Sequence, residues 1–220
     1  MKKATISADI VSSTSLDKVQ RMELEEELRK MIEILEKNFS KKSFFGRIIK
    51  GDYIECVVRP KHALRVALLI KSFVKSLNFT QKEKKQDFLK FKEYGVRIAV
   101  GLGNLEIFDT GKGIIDGEAI YLSGRAINEM SKNNKCTLVF RSKNEKLNKN
   151  FTSIFNLLDF MFNKYKEAQS KIVFYKLLNK TDREIASLLG KSISTINQHS
   201  TSTGWHAVEN AVTYFEKSII

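Results

Sequence analysis

The chain has little of what staples or stiffens a protein. Its 220 residues include one proline (Pro60), two cysteines (Cys56 and Cys136), three histidines and one tryptophan. A single proline excludes proline-rich linkers and collagen-like repeats. Two cysteines, each inside a strand-like run, exclude a disulfide framework and read as buried free thiols, the usage of a reducing cytoplasm. No apolar run approaches the roughly 20 residues of a membrane-crossing helix. The opening Met1-Lys2-Lys3-Ala4-Thr5 leads directly into a strand pattern rather than a secretory leader. His62 and His206 have no partners at ligand spacing. The expected setting is cytoplasmic.

Positive charge is what the chain has in excess, 38 Lys and Arg against 25 Asp and Glu, a net +13. Such a balance invites a nucleic-acid reading. Residues 151–220 carry only eight of the basic residues against six acidic ones, so the excess lies in residues 1–150. Much of it stands in runs such as Lys82-Glu83-Lys84-Lys85, a solvated-surface pattern. Charge alone selects no partner. The length allows one sizeable core and a small second domain.

The stretch Ala4-Thr5-Ile6-Ser7-Ala8-Asp9-Ile10-Val11-Ser12-Ser13-Thr14 organises the first part. An apolar strand carries one carboxylate, Asp9, and ends in small hydroxyl residues before a helix. An isolated charge there is costly unless something offsets it. A cation shared with a second carboxylate would. Asp52 is that second candidate, because Gly51-Asp52 reads as a hairpin tip between two apolar runs. The bland alternative makes Asp9 an Asx turn or helix cap on the amides of Ser12 or Thr14.

Further along, Leu16, Val19, Leu28, Met31, Ile32, Leu35 and Phe39 recur at helical spacing, and so do Leu64, Ala67, Leu68, Ile70, Val74 and Leu77. Residues 78–93 read as a polar insertion, with Phe88, Leu89 and Phe91 helical. Val96 to Leu102 alternate as a half-buried strand. Gly103-Asn104 is expected to turn the chain so that Leu105 to Phe108 return beside it, followed by a Gly111-Lys112-Gly113 loop. A helix from about Gly117 buries Ala119, Ile120, Ile127 and Met130, and Cys136 to Phe140 form the last strand. The order predicts an α+β fold over residues 1–145, a mostly antiparallel sheet with helices on one face.

Residues 146–220 read as helices only. Phe151, Ile154, Phe155, Leu158 and Phe162 make one apolar face. Thr181 with Glu184 forms a capping box, Gly190 permits a tight turn, and Ser192 caps a further helix at about 192–201. This spacing resembles the helix-turn-helix of sigma-factor and response-regulator type. That resemblance would offer Ser194, Thr195, Asn197, Gln198 and His199 to a DNA major groove. Without recognition-helix arginines, phosphate contacts would be few. A helical module that docks a protein is the alternative. The last apolar positions, Trp205, Val208, Val212, Phe215 and Ile219, read as core in their first half.

The Asp9 and Gly51-Asp52 pair resembles the metal-binding signature of class III nucleotidyl cyclases. In element order the chain is also similar to SatD-type bacterial proteins, which join such a domain to a helix-turn-helix. The resemblance implies a ferredoxin-like sheet, magnesium on Asp9 and Asp52, nucleotide phosphates on Ser12, Ser13 and Thr14, and a homodimer. It makes Arg125 the group that meets charge on the transferred phosphate. The chain departs from the pattern at Tyr121, where the family has Asn, and at Ile48 and Ile114, near its base-selecting positions. The resemblance therefore implies a DNA-binding regulator whose cyclase-like domain binds a nucleotide with little turnover. The alternative is an active cyclase acting on a nucleoside triphosphate with magnesium.

Overall fold

A computed structural model of the chain describes residues 2–40, 43–80, 86–133 and 136–219. Strand β1 (Lys2–Ile10) leads through a 3-10 turn at Ser13–Ser15 into α1 (Lys18–Asn38). A hairpin of β2 (Phe44–Ile49) and β3 (Tyr53–Val58) precedes α2 (Ala63–Lys75) and α3 (Gln86–Tyr94). Next come β4 (Val96–Asn104), β5 (Ile107–Asp109), β6 (Ile114–Asp116), α4 (Glu118–Asn133) and β7 (Leu138–Ser142). The remaining elements are helices: α5 (Glu145–Lys164), α6 (Glu167–Leu177), α7 (Asp182–Leu189), α8 (Ile193–Ser202) and α9 (Trp205–Ser218).

The main sheet has the order β2-β3-β1-β4-β7. Its pairs are antiparallel except β4 with β7. The fold is therefore mixed, with a mostly antiparallel sheet. Alternation along β1 sends Ala4, Ile6, Ala8 and Ile10 into the main core with α1 and α2. Thr5 and Ser7 point the other way, and each hydroxyl lies 2.9 Å from that of Ser123 on α4.

Helices thus cover both faces, not one as expected. Small residues make this possible. A Cβ on Gly101 would stand 2.2 Å from the Ala119 carbonyl, so only glycine lets α4 lie this close to β4. The expected second hairpin also differs. Residues after Asn104 leave the sheet, and β5 pairs with β6 as a separate ribbon. The Gly111–Gly113 stretch is the turn of that ribbon. Periodicity reports a strand's alternation and not its partner, and β7 takes β4's free edge.

Asp17 caps α1 through a reciprocal box with Gln20. Leu24, Leu28, Met31, Ile32 and Leu35 are its buried stripe, whereas Val19 is 74% exposed. The predicted insertion contains α3, with Phe88 and Phe91 buried and Leu89 exposed. Residues 81–85 of it lie outside the described residues. Helix α2 is buried on nearly all sides because α6 and α9 cover what the sheet does not.

The apolar face of α5 packs on β7. Phe140 meets Phe151, Phe155 and Phe215 at ring-centroid distances of 5.4, 5.6 and 5.9 Å, inside the favourable aromatic range. Both halves of α9 are core, Val208 and Phe215 included, and Ile219 just after it is buried as well. Arg65 on α2 adds a polar tie, bonding Glu216 through Nε (2.6 Å) and Nη2 (3.1 Å) and the Leu177 carbonyl through Nη1 (3.1 Å). Ile172, Ile185, Ala186 and Ile196 form a small cluster apart from the main core, joining α6, α7 and α8. Among the described residues no helix is long and apolar enough to cross a membrane.

Candidate functional site

Strand register brings the two aspartates together. Asp9 stands opposite Tyr53 on β3 and Arg97 on β4. Asp52 directly precedes Tyr53, and its carbonyl accepts from the Ile10 amide at 3.2 Å. The Asp52 carboxylate accepts from Ser13 Oγ at 2.7 Å. Asp9 Oδ2 lies 3.2 Å from Arg97 Nη1, an ion pair in place of the Ser12 or Thr14 cap considered from sequence. Burial pushes the Asp9 carboxyl above its ordinary value; Arg97 opposes this, and the Asp52 charge adds to it.

Two hard oxygen donors whose charges repel at one sheet rim fit a divalent cation. Magnesium bound there by Asp9 and Asp52 would neutralise phosphate charge. With Arg97 beside them the three groups sum to one negative charge, a weaker field than two free carboxylates give. Among the described residues no group of three or more His, Cys, Asp or Glu gathers at metal-binding spacing.

Beside Asp52 an open cleft of about 340 Å³ separates the start of α1 from the β2–β3 tip. Ser13 and Thr14 line it, as do Lys18, Arg21, Met22, Leu24 and Glu25 of α1 and Lys50-Gly51-Asp52. Ser12 does not line it, but it sets the turn with a left-handed φ of 52°. Lys50 is left-handed as well, at 55°. Left-handed backbone costs a non-glycine residue about 1–2 kcal/mol. Two such residues therefore border one cleft, and strain of this kind concentrates at functional sites.

Sequence reasoning missed Lys18, Arg21, Lys50 and Arg97. One signal was available for the first two. Past the Asp17 cap, the first turn of α1 has basic residues and no acidic one, which does not suit the helix dipole. A local rule broken in this way marks a position held for something other than helix stability.

Arg125 and Tyr121 are exposed on α4 and do not line the cleft. Asp116, first as hydrogen-bond partner and then by its charge, holds the Tyr121 phenol above its ordinary value. Ile48 is half-buried on β2 and Ile114 is 46% exposed on β6; neither lines the cleft.

On the other side of Asp9 lies a second cavity of about 230 Å³. It is bounded by Val11, the end of α3 (Lys90, Glu93, Tyr94), Arg97, Cys136, Thr137 and, from α5, Asp159 and Asn163. Beneath it the fully buried Lys71 donates to Thr137 Oγ1 at 2.7 Å and sits 3.3 Å from Asp159 Oδ1. Asp159 also accepts from the Thr137 amide (2.7 Å) and Asn163 Nδ2 (3.2 Å). Burial pulls Lys71 down to about 8, against the opposing charge of Asp159.

In the C-terminal helices Thr181 and Glu184 form the predicted capping box, and Gly190 is left-handed at φ 59°. The Ser192 side chain accepts from the Thr195 amide. Ser194, Asn197 and Gln198 are exposed and, with Thr201 and Ser202, line a shallow surface recess on α8. Thr195 turns its hydroxyl to Ser192 at 2.9 Å, and His199 is half-buried. Neither lines that recess.

No family model and no curated protein matches the chain. Among solved structures, the chain is similar to a bacterial light-regulated adenylyl cyclase at 13% identity and a TM-score of 0.47. The alignment covers 64% of this chain and 42% of that one, so the chain spans less than half of that structure's length. A likeness of that grade assigns no activity. The comparisons lend no support to kinship with SatD-type proteins or with a helix-turn-helix family.

Proposed function

We propose that the chain is a nucleotide-binding regulator. A nucleoside triphosphate with magnesium binds at the sheet rim, and α7 and α8 act as a helix-turn-helix on DNA. The observation that carries the first half is the meeting of Asp9 and Asp52 beside a cleft holding Lys18, Arg21 and Lys50. Asp9 and Asp52 hold the cation. Ser13, Thr14 and the three basic side chains bind phosphate oxygens, aided by amides at the Ser12 turn. The test is thermal melting of the full chain with ATP, GTP, CTP or UTP, with and without magnesium. A ligand that binds only the folded state raises the midpoint. The expected rise needs magnesium and is absent in Asp52→Asn; no rise with any of the four overturns the reading.

The DNA half draws on the exposed amides Asn197 and Gln198, which suit adenine edges. Retention on genomic DNA fragments at low salt should drop in the Asn197→Ala/Gln198→Ala double variant. Equal retention would move any DNA contact to the basic sheet unit.

A second reading is cyclisation of the triphosphate within a homodimer. The exposure of Arg125 and Tyr121 on α4, away from their own chain's cleft, favours it. A second copy would then supply Arg125 to the phosphates. Magnesium- or manganese-dependent release of pyrophosphate, lost in Asp52→Asn and in Arg125→Ala, is its signature. Absence of release from all four triphosphates ends it.

A further inference from the structure

The turn after β1 faces two different spaces. Ser13 and Thr14 line the basic cleft, whereas Val11, two residues earlier, lines the second cavity. The Asp9–Arg97 pair relates the two: Arg97 borders that cavity, and Asp9 feels the charge of Asp52, which borders the cleft. The β2–β3 tip and the gap between β4 and β7 are three strand spacings apart in the sheet, about 14 Å. An extended nucleoside triphosphate covers such a span.

The chemistry of the two spaces differs. The cleft offers three cations. The second cavity offers Val11, the Tyr94 ring and the Cys136 thiol; of its charged groups Asp159, Lys90 and Arg97 already have ionic partners, and Glu93 is exposed. Asp159 is occupied by Thr137, Asn163 and Lys71, and Lys90 pairs with Asp87 at 3.0 Å. A charged group gains little there. A flat, neutral ring gains apolar contact and a guanidinium plane to stack on.

We propose that this cavity is the base subsite of the nucleotide site. The heterocycle lies against Val11, Tyr94 and Arg97, and the phosphates run past Asp9 and Asp52 to Lys18, Arg21 and Lys50. The assignment rests on the nucleotide reading above and extends it: the ligand is a nucleoside polyphosphate recognised at both ends, not a bare phosphate chain.

The chain contains its own reporter. Cys56 is fully buried, while Cys136 is half-buried on the cavity wall. In the native full chain a small disulfide reagent should therefore label Cys136 first, and Cys136→Ser should reduce labelling to the Cys56 background. The experiment measures this rate and the melting midpoint with magnesium plus either inorganic tripolyphosphate or each of the four nucleoside triphosphates. The expected result is that both ligand types raise the midpoint but only a nucleotide slows Cys136 labelling several-fold. If both raise the midpoint and no nucleotide slows labelling, or tripolyphosphate slows it equally, the phosphate site stands and the base subsite is overturned. If nothing raises the midpoint, both fall together.

Discussion

The rim around Asp9 and the α7–α8 pair are built by opposite means. The helical pair is local: its cap, turn glycine and second cap lie within Thr181–Ser192, and its core is Ile185, Ala186 and Ile196 against Ile172 of α6. The rim draws on β1, the Ser12 turn, α1, the β2–β3 tip and β4, with Asp9 and Arg97 paired across 88 positions of sequence. One region holds its shape by capping and propensity, and the other by the sheet. The rim can keep strained backbone at Ser12 and Lys50 because strand pairing over-determines it.

Cutting the link between the two regions should have the largest effect. Phe215→Ala removes a ring shared by Phe140, Phe151 and Phe155 and should cost about 3–5 kcal/mol in urea unfolding. A loss confined to the helical end, with nucleotide binding at the rim retained, would show the two regions less coupled than this packing requires.

The buried polar layer gives a pH signature of the same coupling. Lys75 donates to the carbonyls of Lys92, Glu93 and Asn163, so it joins α2 to α3 and α5. Burial, then the charge of Lys71, lowers it to about 7. The unfolded chain keeps this lysine protonated to near 10.5, so between about pH 7 and pH 10 it holds more protons than the native chain and stability rises with pH. The urea midpoint should climb over that window, and the climb should shrink in Lys75→Met.

Asp9 has the opposite sign. Its carboxyl is raised in the native state, so stability is lost as pH climbs from its unfolded value of 3.8 through the native one. Asp9→Asn should therefore melt higher than the parent at neutral pH without ligand, while losing the magnesium-dependent nucleotide shift. A variant that melts lower would make Asp9 a structural partner of Arg97 and weaken the site.

Smaller effects belong to the helical pair. Thr181→Ala should cost about 1 kcal/mol, the worth of an N-cap, and raise amide exchange in α7 while leaving the sheet unchanged. Asn197→Ala should change stability by less than about 0.5 kcal/mol, as exposed positions do, so any loss of DNA retention would be a contact effect. An equal fall in stability would place Asn197 in the helical core, where its exposure does not put it.

Local chemistry was read correctly where the controlling atoms are neighbours in sequence. The Thr181 and Ser192 caps and the Gly190 turn each depend on residues within one or two helical turns. The hairpin tip at Gly51-Asp52 was legible for the same reason. Partner choice was not. Alternation in Val96–Leu102 is the same whether the strand lies next to residues 105–108 or between β1 and β7, and Val19 has the helical spacing of a core residue while lying in solvent.

By itself, then, the sequence determined the caps and turns of the C-terminal helices, most of the apolar faces, and that Asp9 and Asp52 each stand at a strand's end. Those properties follow from the chain's own dihedral preferences and side-chain order. Tertiary structure decided that the two carboxylates share a rim, that Arg97 sits between them and the second cavity, and that Lys18, Arg21 and Lys50 face one cleft. Electrostatic neighbourhood is set by distance in space, and a chain's order does not carry that distance until the sheet has chosen its register.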